Sequence, residues 1–282
     1  MKKLFKNEKF VRFLYGVLAF VLSALIVIFS LTTMLKVTVF NSSFLNDVLN
    51  NSAYYTDLCD EITDDLVDIG NASGLNKSFF SDLIDEFMVR EDIQSYIESF
   101  YNGEKLVVNT DNFQRSLRDA IENYEKKKGI DPQTVSEESI NYFVVEATKI
   151  YSKSIEITYF NMIQKDAMKW SSKMLIYALI SIVAIVLIMC FIFFTNKWKH
   201  LAVKYFYYAT ASAGLFVFLI PTVLNVSGIL QKIAILSRSL NDLYTSCVNS
   251  LLMNMYVISA VLIGLSVVFV IIHKHLRKLA TA

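Results

Sequence analysis

Apolar positions fall into two patterns along this chain. Residues 11–35, 174–195, 205–224 and 251–272 are apolar almost without interruption. None of these runs contains Asp, Glu, Lys or Arg, apart from Arg12 at the edge of the first. A helix rises about 1.5 Å per residue and bilayer hydrocarbon is about 30 Å thick, so about 20 such residues cross it. Each run is predicted to be a transmembrane helix. The first is longer than the apolar core of a signal peptide, usually about 7–15 residues, and no A-x-A site follows it. It is expected to remain as a span.

The second pattern is a mixture of apolar and polar residues with helical period. Leu58, Ile62, Leu66 and Ile69 recur at i, i+4, i+8 and i+11, with Cys59 beside them. Asp57, Asp60, Glu61, Asp64 and Asp68 fall on the other side. Residues 57–70 are therefore predicted to form an amphipathic helix with a solvated acidic face. A metal site would need acids converging from separate segments, or a calcium loop with a central glycine. The spacing offers neither.

More helices follow. Ser78 is placed to cap residues 79–89. Residues 91–101 should stop at Asn102-Gly103. A helix over 110–128 should start at a Thr110 cap and end at Gly129, with Lys126, Lys127 and Lys128 favoured by the dipole of its last turn. Asp131-Pro132 should open the next helix, with Thr134 and Glu137 at capping-box spacing. That pattern extends over 140–163 and could run on into the second span. Residues 104–109, EKLVVN, are the only strand-like run. In the shorter polar segment, Leu236, Leu240, Leu243 and Cys247 mark an amphipathic helix, either lying in the interface or packing on the main domain. The expected fold is an all-α integral membrane protein: four transmembrane helices plus a helical extracytoplasmic bundle of five or six helices.

Composition agrees. Of 282 residues 54% are hydrophobic, mean hydropathy is +0.43, and only two prolines and eight glycines interrupt the chain. Charge distribution orients it. Lys2, Lys3, Lys6, Lys9 and Arg12 cluster at the start, Lys197, Lys199 and Lys204 between the second and third runs, and Lys274, Arg277 and Lys278 at the end. Residues 36–173 carry 24 acids and 14 bases. The positive-inside rule puts the basic segments in the cytoplasm. Tyr205, Phe206, Tyr207, Tyr208 and Trp198, with Trp170 at the other end, suit the two interfaces.

The expected order is then a cytoplasmic N-terminus (1–10), the first span (11–35) and a helical extracytoplasmic domain (36–173). The second span (174–195), a basic cytoplasmic loop (196–204) and the third span (205–224) follow. An extracytoplasmic amphipathic loop (225–250), the fourth span (251–272) and a cytoplasmic C-terminus (273–282) complete the chain. The expected location is the plasma membrane. The Lys-rich start is of bacterial type, so the N-x-S/T matches at Asn41, Asn50, Asn71, Asn76 and Asn225 carry no weight.

Candidate chemistry is sparse. Cys190 sits in a span. Cys59 and Cys247 are both expected outside, where they could form a disulfide or remain separate buried thiols. His273 and His275 point to different sides of a helix, and His200 stands alone. No phosphate loop, G-x-G-x-x-G, H-E-x-x-H, G-x-S-x-G or C-x-x-C occurs, and residues 36–173 contain no histidine. The spans carry no buried charge and offer only Ser23, Ser30, Ser181, Ser212, Asn254, Ser259 and Ser266 to line a pore. No catalytic, cofactor or metal site is expected. The net charge of +1 gives no sign of a nucleic-acid partner, and none is expected. A binding surface, if the outer domain has one, would draw on Tyr54, Tyr55, Tyr96 and Tyr101, which could equally pack its core. Ala19/Ser23, Thr210/Gly214 and Ala260/Gly264 are small-xxx-small pairs that suit close contact of spans, within the chain or in a homo-oligomer.

The stretches TVFNSSFLNDVLNNSAYYTDLCDEI and VREDIQSYIESFYNGEKLVVNTDNFQRSLRDAIENYEKKKGI resemble a group of uncharacterised bacterial membrane proteins with one span, a helical outer domain and three clustered spans. The resemblance implies that architecture and no activity. The expected function is that of a non-enzymatic envelope protein embedded in the bilayer, whose outer domain binds a protein partner or ligand. The span order is also similar to that of FtsX and macrolide-exporter permeases, which implies a permease-like subunit driven by an ATPase as an alternative. A channel or transporter is a third.

Overall fold

A computed structural model describes residues 8–129, 136–157, 159–196, 198–232 and 237–281. Lys2, Lys3, Lys6, Asp131-Pro132, Thr134, Lys197 and Leu236 lie outside the described residues. Of the described residues 88% are helical and none is in a strand. The helices are α1 (Glu8–Val37), α2 (Ser42–Asn50), α3 (Tyr54–Gly70), α4 (Lys77–Leu83) and α5 (Glu86–Asn102). There follow α6 (Asp111–Lys128), α7 (Glu137–Ile155), α8 (Phe160–Thr195), α9 (Lys199–Ser227) and α10 (Arg238–Thr281). The chain divides into two units: Met1–Phe40 with Lys169–Ile233 and Val248–Ala282, and Asn41–Met168 with Ala234–Cys247.

The first unit holds the four apolar runs, inside helices long and apolar enough to cross a membrane. All four helices exceed the apolar runs. No Gly or Pro interrupts 160–195 or 238–263, so nothing in those residues stops α8 or α10 at the edge of its run. The amphipathic helix expected around 236–247 is thus the start of α10.

Helix α9 is the centre of this unit. It lies along α1, where Tyr15, Leu22 and Ile26 share a buried cluster with Ala202, Phe206, Ala209 and Ala213, and Ser212 Oγ donates to Ser23 Oγ at 2.7 Å. Against α10 it makes an antiparallel ladder. Ser259 Oγ donates to Gly214 O at 2.9 Å, Ser266 Oγ to Tyr207 O at 3.2 Å, and His273 Nδ1 to His200 O at 2.6 Å. Each step is seven residues on both helices, the repeat that keeps two helices in register along one seam. A Cβ on Gly214 would lie 2.9 Å from Ile263 Cγ1 and 3.2 Å from its backbone N, so only glycine fits without a shift. Ala19, Ser23, Thr210 and Gly214 are buried, as their spacing suggests. Ala260 and Gly264 are exposed, and nothing lies within 4 Å of a Cβ at Gly264. Both therefore lie on an exposed face of α10.

Tyr15 and Tyr205 lie 5.5 Å apart, the His200 and His273 rings 5.8 Å apart, and Lys199 Nζ donates to Phe193 O at 2.7 Å. These contacts gather the starts of α1 and α9 and the ends of α8 and α10 at one end of the unit. Arg12, Lys199, Lys204, Lys274, Arg277 and Lys278 therefore share that end. His200, expected to stand alone, is paired there with His273.

The second unit closes a hydrophobic core of its own. Leu58, Ile62 and Leu66 of α3, Ile93 and Ile97 of α5, Phe113 and Leu117 of α6, and Ala147 and Ile155 of α7 are fully buried or nearly so. Burial of one such large side chain stabilises by about 1.5–3 kcal/mol. Leu243 is buried in the same core, with Leu240 and Cys247 against it, so the 237–247 segment packs on this domain rather than standing free.

Helix ends depart from expectation in informative ways. The helix expected over 79–89 is split at Ile84 and Asp85. Asn76, not Ser78, caps α4 through Phe79 N, and Asp85 caps α5 through Phe87 N. Ser78 instead donates to Asn76 Oδ1 at 2.8 Å, which orients the cap. Thr110 stands at the start of α6 but accepts from the Gln114 side chain, while Asn109 Oδ1 takes Asp111 N–H. Ser136 caps α7 by accepting from Ser139 N. Helix α7 does not continue into α8: Ile157, 9% exposed, turns into the core and breaks the helix after Ile155. Gly103 and Gly129 end α5 and α6 at φ +74° and +65°, where L side chains are strained.

Candidate functional site: a groove beside helix α7

Helix α7 is anchored by its inner face. Tyr151 stacks on Phe113 of α6 with ring centroids 4.2 Å apart and planes 3° from parallel. Its hydroxyl donates to Asp92 Oδ2 of α5 at 2.5 Å. Burial pushes the Asp92 carboxyl above the usual range; the Tyr151 hydrogen bond opposes this and neighbouring Glu91 adds to it. Burial and the Asp92 contact likewise push the Tyr151 hydroxyl up. One aromatic ring thus fixes α7 against two other helices.

The outer face is left for contact. Tyr142 and Val145 are exposed, large and apolar. Clefts open on either side of them. One, of about 280 Å³, lies between α6 and α7 and is lined by Arg118, Glu122, Glu125, Glu137 and Ile140. Arg118 donates to Asn141 there at 2.7 Å. The other, of about 340 Å³, lies between residues 108–110 and the second half of α7. Val108, Thr148, Ser152, Lys149, Lys153 and Glu156 line it. Volumes of about 300–1,000 Å³ are usual for ligand clefts.

Val108, in the wall opposite α7, belongs to the strand candidate 104–109. That segment is held at both ends. Glu104 N–H donates to Ser99 O at 2.9 Å, and Gln164 Nε2 donates to Ser99 O, Phe100 O and Glu104 O, closing the end of α5. Asn109 holds the start of α6. Between these anchors burial alternates: Leu106 is half-buried, Val107 59% exposed, Val108 8% exposed and Asn109 exposed. Period-two burial marks an extended chain. Among the described residues, no hydrogen bond uses the backbone of Lys105, Leu106, Val107 or Val108. No strand forms here, and among the described residues the segment has no partner strand.

The other candidates are placed differently. Tyr54, Tyr55 and Tyr96 are 1–2% exposed and belong to the core, so they form no outer surface. Tyr101 is half-buried against that core. Cys59 and Cys247 are free thiols packed on the same core, Cys59 beside Tyr151 and Cys247 beside Tyr101. Burial, then the charges of Glu86, Asp60 and Asp85, pushes the Cys59 thiol up to about 12; burial pushes Cys247 to about 11.

The acids of α3 are mostly exposed, and Asp64 pairs with Lys77 at 2.6 Å. Glu61 is not part of a simple wet face. Its carboxylate accepts Arg238 N–H at 2.6 Å, Ser239 N–H at 3.0 Å and Ser239 Oγ–H at 2.7 Å, with Ser237 Oγ at 3.0 Å. Asp242 Oδ2 answers by accepting Ala53 N–H at 3.0 Å, at the start of α3. Burial raises the Glu61 carboxyl, but hydrogen bonds from Ser239, Ser237 and Arg238 outweigh it and hold the group below the usual range. Among the described residues, no three His, Cys, Asp or Glu side chains are placed to hold a metal ion.

Spacing alone would not have found Glu61, because its partners lie 176–178 residues away. The heptad of Ser259, Ser266 and His273 was legible and is a signal of the α9 contact. Comparison of the chain with protein-family models, curated proteins and solved structures finds no match.

Proposed function

We propose that this chain is a multi-pass plasma-membrane protein that acts by binding, not catalysis, and presents a helical domain to a partner outside the cytoplasm. One observation carries the reading: residues 41–168 and 237–247 have a hydrophobic core of their own, and one helix face of that unit is flanked by two clefts. The polar groups nearest to a chemical role have structural duties. Glu61 caps α10, Asp92 holds Tyr151, and the two thiols are half-buried against the core. The hydroxyls of the apolar helices serve helix contacts: Ser23 with Ser212, and Ser259 and Ser266 with α9 carbonyls. This favours a packed bundle over a polar pore.

The basic residues gathered at one end of the first unit support a cytoplasmic position for that end, by the positive-inside rule. Helix α1 crossing the bilayer from there would leave residues 41–168 outside.

The test is affinity purification from native membranes in mild detergent, with the full chain and with a variant in which a short linker replaces residues 41–168. A stoichiometric envelope protein retained only by the full chain is expected. A stoichiometric ATPase retained by both would overturn the reading in favour of a permease-like subunit.

A further inference from the structure

We propose that residues 105–108 and the facing half of α7 form a groove that binds an extended acidic peptide by strand addition. This rests on the partner-binding reading above and names the class of partner.

The backbone of residues 105–108 has hydrogen-bonding capacity that no described group of the protein uses. Main-chain N–H and C=O groups are obligatory donors and acceptors, met within the fold, by water or by a ligand. Lys105 to Val108 have no backbone partner within the described protein, yet both flanks are anchored, by Gln164 and by Asn109. Anchored flanks and alternating burial hold the segment extended and ready to pair. An extended peptide supplies what such an edge lacks, a row of alternating N–H and C=O groups at matching spacing. Four residues at about 3.3 Å each span about 13 Å, room for a strand of four or five residues. A sugar or an acyl chain carries no such row. The segment is short and carries Lys105, features that limit indiscriminate edge pairing.

The groove also selects by charge. Residues 36–173 carry an excess of ten acids, yet the α7 wall presents Lys149 and Lys153. Among the described residues Lys149 pairs with Glu146 at i,i+3, an exposed ion pair of the kind that exchanges readily for another partner. Glu156 is the single acid in the lining. Alternate side chains of an added strand would face Val108 and the α7 lysines, so an apolar residue alternating with an acid fits best.

The test uses the full chain in nanodiscs and fluorescent octapeptides of alternating Val and Glu, read by anisotropy. Three controls are a Val–Lys peptide, a Val–Glu peptide N-methylated at alternate residues on its pairing edge, and the K149E/K153E variant. The Val–Glu peptide should bind at least about tenfold more tightly than either control peptide. K149E/K153E should reverse the preference between Glu and Lys peptides, a swap that misfolding cannot produce. Equal binding of the N-methylated peptide would overturn strand addition. An unchanged charge preference in K149E/K153E, or no binding of any peptide, would overturn the groove assignment. A photo-cross-linker at Val107 that joins two differently tagged copies would make the occupant a second copy and overturn the acidic-peptide assignment. In each case the broader reading still stands or falls on whether deletion of residues 41–168 releases a partner.

Discussion

Glu61 accepts the backbone N–H of Arg238 at 2.6 Å, across 177 residues of sequence. Together with Ser239 and Ser237 this makes the carboxylate the cap of α10, and Asp242 returns a bond to Ala53 at the start of α3. Two antiparallel segments thus satisfy each other's helix ends, where backbone donors would otherwise go unpaired.

Glu61→Ala should cost about 1–2 kcal/mol locally, the usual price of a lost cap. Amide exchange over 238–242 should speed up by about 5–30-fold, with little change over α6. No change over 238–242 would show that the cap contributes nothing. The pH dependence has a definite sign. The carboxyl is held below its unfolded value of about 4.3, so its contribution is complete above that value and is lost as pH falls through the depressed folded value. Protection of 238–242 should therefore be flat from neutrality to about pH 5 and fall only in stronger acid.

Asp92 should respond in the opposite sense. Its folded carboxyl is raised, so the stabilising contribution belongs to the protonated form and is lost as pH rises through the folded value. Asp92→Asn mimics that form and keeps an acceptor for Tyr151. It should match or exceed the wild type in thermal stability at neutral pH. Tyr151→Phe should lower stability by about 1.5–3 kcal/mol, because a half-buried carboxylate loses its donor. Equal losses in the two variants would contradict this assignment.

Gly214 and Gly264 offer a matched pair. Leucine at 214 should force α9 from α10 and break the Ser259 bond, lowering the melting temperature in detergent by several degrees. Leucine at 264 should leave it unchanged, since that position faces open space. A comparable loss at 264 would reveal a partner for that face.

Cys59 and Cys247 should react slowly. With thiols raised to about 12 and 11, the thiolate population at pH 7.5 is at least about 100-fold below that of an ordinary cysteine. A membrane-impermeant maleimide should label them only after denaturation, and from the extracytoplasmic side. Rapid labelling of the folded protein would contradict their packing against the core and raised thiols, and labelling from the cytoplasmic side alone would invert the proposed orientation.

The helical character of this chain was readable from local order. Four apolar runs, the i, i+4 spacing of Leu58, Ile62 and Leu66, and the glycines at 103 and 129 each act over a few residues. Their consequences appear in the sequence itself. The break after Ile155, the split at Ile84 and the continuation of the 237–247 segment into α10 were not readable with that certainty. They depend on whether a side chain such as Ile157 finds a core to enter.

The same division holds for the site. By itself the sequence determined which segments are helical, which are apolar enough to enter a membrane and where charge collects, because propensity, hydropathy and charge are properties of neighbours. Only the tertiary structure decided that Glu61 is a cap, that Tyr54, Tyr55 and Tyr96 are core, and that Val108 shares a cleft with two lysines of α7. Those facts depend on which distant groups meet, and a hydrogen bond or a buried ring has no counterpart in the order of residues until the chain has closed around it.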